Sequence, residues 1–381
     1  MNLKPPLERR PLHQQIASLL REEIVSNCKE GQKLESESAL AKRFSVSFLT
    51  IREALRTLAQ DGLVVRRHGS GTYVADRSAQ RHVAVLIDFD VSDPRTSYSY
   101  LAEIQQARHF FESRGFKAKL YVGRRQLGVD QKVDGLTCQE FLKEAQDGRL
   151  AGVMAVATPF DARWVDLLRS NRIPVVGDGE EYPVRVRWDC LKLVRDGVAC
   201  LAKRNCRRVA VMGWKGWGGP LRNDGMTWID VVKTALQEQG LPFYEGWIRS
   251  DTHPNLNGAG WEEFREIWRA GDEKPDGLLA CDDILFADAA MAIMDLGIKV
   301  PSQLVVATHA NKGAGTFYPF PVIRLEQDPE AYAVKMCEML LALMKNEELS
   351  EKQVYLPFQR LIELDAQALT ACAAGTQALG H

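Results

Sequence analysis

Over the first seventy-five residues the apolar positions recur at helical spacing. Leu12, Ile16, Leu19, Leu20 and Ile24 predict an amphipathic helix over about 11–26 with its apolar stripe turned inward. Gly31 closes the connection, and Ser36 is placed to cap a short helix through about Phe44, with Glu37 against its positive end. Val46-Ser47 turns the chain. Ser47 can cap a third helix that runs to about Gln60 and stops before Gly62, burying Ile51, Ala54, Leu55 and Leu58. Two alternating runs follow, "LVVRR" and "GTYVA", joined by "HGSG", whose glycines permit a tight hairpin. The first turn of the third helix carries Phe48 and Leu49, two apolar side chains where a wet surface is expected.

Beyond a polar segment at 76–81, "DRSAQR", the pattern becomes strand and helix in alternation. "HVAVLIDF", "KAKLYVG", "AGVMAVAT" and "IPVVGD" read as strands, separated by helices at "YLAEIQQARHFFESRG" (100–115) and near 138–147 and 161–170. A second series follows with "RVAVMGW", "GLLACD" and "LVVATH" as strands and helices between them. Such alternation implies α/β lobes with parallel sheets flanked by helices, and ligands of open α/β sheets bind beyond the carboxyl ends of the strands. The expected division is 1–75, a linker at 76–81, and a two-lobed body over 82–381. Its first lobe takes about 82–184 and 312–340, and its second about 187–308 and 341–370.

Three short helices and a basic, glycine-tipped hairpin make a winged helix-turn-helix, whose second paired helix fits a major groove and whose wing approaches a phosphate or minor groove. The same pattern also suits a three-helix protein-interaction module. Charge favours the first reading modestly: residues 1–80 hold thirteen Lys/Arg against nine Asp/Glu, in a chain of net charge −1. With 381 residues, two or three domains are expected. The eight cysteines form no C-x-x-C pair, which fits reduced thiols rather than a zinc site or a disulfide framework. No run of about eighteen apolar residues and no signal pattern occurs, so a cytoplasmic location is expected. No "GxSxG", "HExxH" or "GxxxxGK[ST]" is present; no catalytic residue, metal or cofactor is expected.

The pieces "LHQQIASLLREEI", "GQKLESESALAKRFSVS", "TIREALRTLAQDGLV" and "RRHGSGTYV" resemble the N-terminal domain of GntR-family transcriptional regulators over residues 11–75. By that resemblance Thr50 and Arg52 match the polar pair that contacts phosphates and bases. His68, Gly69, Ser70, Gly71 and Thr72 match the wing tip, with Arg66 and Arg67 beside it. Ser36, Glu37, Ser47 and Phe48 complete the candidate DNA-binding set. The chain departs from the family at Glu35, where Pro is usual, and at Ser38 and Phe48, where Arg is favoured. Loss of a bidentate Arg–guanine contact, worth about 1–3 kcal/mol, implies an altered operator, and Phe48 can instead touch a thymine methyl or simply pack.

The rest, about 82–365, resembles the effector-binding domain of LacI/GalR-type repressors, on "IPVVGD", "RNCRRVAVMG", "PDGLLACDDILFADAAMAIMDLGIKVPSQLVVATH" and "PFPVIRLEQD". The combination resembles arabinose-responsive repressors. It implies double-stranded operator DNA, a small-molecule effector (a sugar first, an aromatic or anionic metabolite second) and a homodimer that represses. Matching positions nominate Asp88, Asp90, Tyr98, Tyr100, Asp189, Asp282 and Gln327 for the effector. Trp228, His309 and Arg324 stand where sugar-responsive members usually carry other polar groups. Trp217, with Trp214 in "GWKGWGGP", is nominated as an aromatic wall. An aminotransferase-like body carrying pyridoxal phosphate, known beside some GntR-type heads, finds no support in these motifs.

Overall fold

Two serines set the turns of the N-terminal head. In a computed structural model, which describes residues 11–75, 81–89, 91–93, 95–123, 125–127, 133–136, 138–158, 162–179, 182–213, 227–251, 254, 256–358 and 360–363, the first helix is α1 (Leu12–Asn27). Ser36 caps α2 (Glu37–Phe44), accepting from Ala39 N at 3.1 Å. Ser47 caps α3 (Phe48–Gln60), accepting from Thr50 N at 3.1 Å. Each such cap contributes about 1 kcal/mol. Strands β1 (Val64–Arg67) and β2 (Gly71–Val74) pair antiparallel, and Gly69 and Gly71 at the bend have φ of 70° and 125°. The core unites Ile16, Leu20 and Ile24 with Leu40, Ile51, Leu55, Leu58, Leu63 and Val74. Leu12 and Leu19, expected inward, are more than half exposed. The buried stripe of α1 is the narrower 16–17–20–24 row that α3 covers.

The body is two parallel sheets flanked by helices. The first series comprises β3 (His82–Ile87), α4 (Tyr98–Glu112), β4 (Lys117–Val122), a hairpin of β5 (Arg125–Leu127) and β6 (Val133–Leu136), α5 (Gln139–Gln146), β7 (Leu150–Val156), α6 (Ala162–Ser170), β8 (Val175–Gly177) and β9 (Arg185–Trp188). The second comprises α7 (Cys190–Lys203), β10 (Val209–Met212), α8 (Trp228–Glu238), β11 (Ile248–Arg249), α9 (Ala259–Arg269), β12 (Gly277–Ala280), α10 (Asp283–Asp295), β13 (Val305–Asn311) and β14 (Ile323–Gln327). Last come α11 (Pro329–Met344), β15 (Gln353–Leu356) and β16 (Arg360–Glu363).

Strand order is β15-β9-β8-β7-β3-β4 in one sheet and β11-β10-β12-β13-β14-β16 in the other, every pair parallel except β14 with β16. These pairings move the lobe limits expected from sequence. Because β14 pairs with β13, residues 312–327 run with the second sheet and not the first. Because α11 packs on the first-lobe core and β15 pairs with β9, residues 341–356 return to the first lobe. The chain therefore crosses between lobes near 189, 328 and 357.

Head and body meet through ion pairs. Arg21 of α1 bridges Asp61, at the end of α3, and Asp147, at the end of α5. Arg149 holds the same Asp147 at 2.7 Å and Glu144 at 2.5 Å. Arg81 adds a contact to Glu30 at 3.3 Å. Of the expected 76–81 linker, residues 76–80 lie outside the described set.

Helices α9 and α10 approach most closely at Gly260, where an added Cβ would stand 1.9 Å from the Leu285 carbonyl oxygen. Neither backbone can yield cheaply, and Gly260 N also donates to Asp288 at 3.3 Å. Gly260→Ala is expected to cost at least about 3 kcal/mol, at the upper end of overpacking changes. A denaturant midpoint within experimental error of wild type would refute this close-packed contact.

Candidate functional sites

The exposed face of the head is organised by one carboxylate. Glu37, at the first position of α2, accepts from Arg66 on β1 and from Arg52 on α3 at 3.4 Å. It thus ties the candidate reading helix to the candidate wing. The Arg52 guanidinium also lies over the Phe48 ring, 4.8 Å from its centroid. Phe48 is 45% exposed, so it neither fills the core nor stands alone; it is a platform under Arg52. Ser47 Oγ is 2.7 Å from Thr50 Oγ1, which engages Thr50 in the cap as well as presenting it outward. On the hairpin, the Arg67 guanidinium lies 4.6 Å from the Tyr73 ring centroid, and Ser70 Oγ is 2.7 Å from the Tyr73 hydroxyl. His68, Gly69, Ser70 and Gly71 are exposed at the bend. Thr72, grouped with them from sequence, is only 7% exposed, because strand alternation turns its side chain inward.

In the body, the two lobes are joined by a bidentate ion pair. Arg95, in the loop before α4, donates through Nη1 and Nη2 to Asp288 of α10 at 3.1 and 2.9 Å, and to the Pro254 carbonyl at 2.6 Å. Close by, Ser97 of the first lobe faces Asp283 and Asn311 of the second. Asn311 Nδ2 donates to Asp283 at 2.8 Å and lies 3.5 Å from Ser97 Oγ, which is itself 3.5 Å from Asp283. His309 Nδ1 stands 3.9 Å from Asp283, and Gln327 lies close enough to act on its ring.

Of the nominated effector residues, Asp88 ends β3 and is buried in electrostatic reach of Asp178. Tyr100 packs on Phe89, ring centroids 4.7 Å apart, and feels Asp178, Glu103, Asp282 and Asp283. The Tyr98 hydroxyl lies against Gly313, where an added Cβ would come within 2.9 Å. Asp282, His309 and Gln327 are buried at the same carboxyl-end region of the second sheet. Asp282 also caps α10, accepting from Ile284 N and Leu285 N at 2.9 Å.

Four nominations fare differently. Asp189 is an N-cap of α7, with Lys192 N at 2.9 Å. Trp228 is packed in the second-lobe core beside Gly213, so it lines that core and not an open wall. Asp90 and Trp217, with Trp214, lie outside the described residues. Sequence reasoning passed over Arg95, Ser97, Glu103, Asp178, Asp283, Asp288 and Asn311. Asp178 and Asp283 had a signal, a carboxylate directly at a strand end in "VVGD" and "CDD"; Arg95 had none.

Burial disfavours the charged form of the carboxyls gathered here. Desolvation lifts Asp178 to about 7 despite the hydrogen bond from Ala157 N at 2.5 Å, and the Asp88 charge adds to the rise. Desolvation, with Asp283 beside it, lifts Asp282 to about 7. Glu103 is pushed well above the usual carboxylate range by burial and by Asp178. His309 is lowered by burial, against the opposing pull of Asp283.

Residues 12–74 match the family described as bacterial regulatory proteins, gntR family, and residues 198–364 match a periplasmic binding protein-like domain. The mannosyl-D-glycerate transport/metabolism system repressor MngR of Escherichia coli (strain K12) is 40% identical over 82 residues, 21% of this chain and 34% of that protein. The arabinose metabolism transcriptional repressor of Halalkalibacterium halodurans is 24% identical over 311 residues, 76% of this chain and 78% of that one. A solved transcriptional regulator CelR–cellobiose complex superposes with a TM-score of 0.58 at 16% identity, over 93% of this chain and 99% of that one. The Cra transcriptional dual regulator from Pseudomonas putida, in complex with fructose 1-phosphate, gives 0.54 at 17% identity, over 74% and 99%.

Head and body together define a DNA-binding transcriptional regulator. The chain joins a GntR-like N-terminal domain to a periplasmic binding protein-like domain. Among the described residues no helix is long and apolar enough to cross a membrane.

The Asp178 shift has a testable sign. Its folded pKa, about 7, lies above its ordinary value, so from about pH 4 to about pH 7 the folded protein holds a proton that the unfolded chain has released. Stability from this group is therefore present at the low end of that window and lost as pH rises through it. Thermal midpoints measured across the window should fall more steeply for wild type than for Asp178→Asn. Parallel curves would show that Asp178 is not desolvated.

Proposed function

We propose that the protein is a homodimeric repressor of transcription that grips operator DNA through α3 and the β1–β2 wing, and that a small hydroxylated effector, most simply a sugar, sets this grip from between the lobes. The carrying observation is that one chain pairs an exposed cationic edge, tied together by Glu37, with a polar network whose members come from both lobes. The names of the arabinose repressors and the cellobiose complex agree with a carbohydrate effector.

In this reading Arg52, Thr50 and Ser47 face the major groove, while Arg66, Arg67 and the His68–Gly71 bend lie along the backbone or the minor groove. Glu37 positions these groups and touches no phosphate, since a carboxylate against a phosphate would be repelled, and Ser36 sets the start of α2 beside it. Phe48 holds the Arg52 guanidinium and offers its exposed edge to a thymine methyl. The effector meets Asp88, Tyr98, Tyr100, Asp282, His309 and Gln327. Because these residues sit on both lobes, a bound effector changes the angle between them, and hence the spacing of the two heads on a dimer.

Selection from a randomised duplex pool, followed by anisotropy titrations at 50 and 200 mM salt, tests this function. Tight binding at low salt, weakening at least about tenfold at the higher salt, is expected. Arg52→Ala should lose about 1–3 kcal/mol of binding, and Phe48→Arg should shift the selected site toward guanine at one step per half-site. If no duplex binds at 50 mM salt, the DNA-binding reading is wrong. If Phe48→Arg selects the unchanged site, Phe48 serves only to pack.

A further inference from the structure

The cleft between the lobes is richer in acceptors than in donors. Tyr100 sits within electrostatic reach of four carboxyls, Asp178 and Glu103 from the first lobe and Asp282 and Asp283 from the second. Nearby cations are engaged: Arg95 is held by Asp288 at 2.9 Å, Arg187 acts on Asp178, and Arg324 faces Glu326 at 3.9 Å. A second observation points the same way. Asn311, 6% exposed, gives its Nδ2 to Asp283, while its Oδ1 finds no donor among the described residues. Beside these groups the Phe89 and Tyr100 rings pack tilted, centroids 4.7 Å apart.

We infer that the cleft selects an effector carrying a protonated amine, of which an amino sugar is the simplest kind. This rests on the reading of the cleft as the effector site and narrows its ligand class. An ammonium brings three donors and no acceptor, so it satisfies Asn311 Oδ1 and Asp283 together. It also brings a positive charge to the facing carboxylates. A neutral sugar supplies hydroxyl donors but adds no charge against Asp282 and Asp283, adjacent in sequence, on which Arg95, already held by Asp288, acts only at a distance. An anionic metabolite meets the same carboxylates as repulsion. Burial first, and neighbouring carboxyls after it, raise the affinity of Asp178, Asp282 and Glu103 for protons, and an ammonium offsets the second of these causes.

The test uses the full chain at pH 6.5, by thermal shift and then calorimetry. D-glucosamine, D-galactosamine and D-mannosamine are each compared with the parent hexose and the N-acetyl derivative. At least one hexosamine should raise the midpoint by about 3 °C or more and bind at least about tenfold tighter than both of its counterparts. Asp283→Asn should erase that preference, and Asn311→Leu should weaken the hexosamine selectively if Asp283→Asn does not fold. Equal or tighter binding of a parent hexose or N-acetyl sugar would overturn the amine requirement while leaving the cleft as an effector site. No binding by any of these compounds would also overturn it, and the DNA titrations above would then judge the regulator reading independently.

Discussion

The pair formed by Arg95 and Asp288 is the constraint from which the geometry of the body follows. Asp288 is 5% exposed on a helix of the second lobe, and Arg95 reaches it from a loop of the first. Neither charge is cheap to bury, and removing one partner from such a pair usually costs about 3–5 kcal/mol because the other is left uncompensated. Bidentate geometry gives the contact direction as well as strength. Gly260 completes the seat: only a residue without Cβ lets α9 come close enough for its backbone N–H to reach Asp288. With this anchor in place, Ser97 is held opposite Asp283 and Asn311, and the cleft acquires walls from both lobes.

A regulator needs that geometry to be felt at the DNA-binding head. One physical route is visible in the ion pairs at the base of the first lobe. Arg21 joins Asp61, at the end of α3, to Asp147, where Arg149 and Glu144 extend the network. The head is thus docked on the lobe that also carries Arg95, so a rotation between lobes moves the head as a body relative to the second lobe. Within the head, Glu37 makes helix and wing one unit, and the Phe48 ring steadies Arg52 where a second arginine would have competed with it for space and charge.

Much of this was legible in the sequence. Serine caps, glycine stops and the 16–20–24 stripe are local signals, and local signals specify local structure; α2 and α3 begin where Ser36 and Ser47 say they should. Strands β3, β7, β8, β10, β12 and β13 announced themselves as apolar runs, as buried parallel strands do, whereas β9, with the sequence RVRW, did not. What could not be read was non-local. The return of α11 and β15 to the first lobe shows in a pairing of β15 with β9, Gln353 opposite Arg185 and 168 residues away, and no local pattern tells which lobe claims β14 after β13. At the site, Asp282, His309 and Gln327 were legible through the resemblance of the body to LacI/GalR-type domains, which places them at or near strand ends. Arg95 comes from a short polar loop whose sequence gives no hint that its partner is 193 residues away. Trp228 misled because a tryptophan beside a strand end can face either a cleft or a core, and Gly213 leaves room for the indole inside.

The most direct test of the central claim, that the Arg95–Asp288 pair joins the lobes, is a double-mutant cycle over Arg95→Ala and Asp288→Ala, read by denaturant unfolding of the body. Each single change should destabilise, and the double variant should lose little more than the worse single one, giving a coupling of at least about 1.5 kcal/mol. Strictly additive losses would show that the two charges meet without holding anything together.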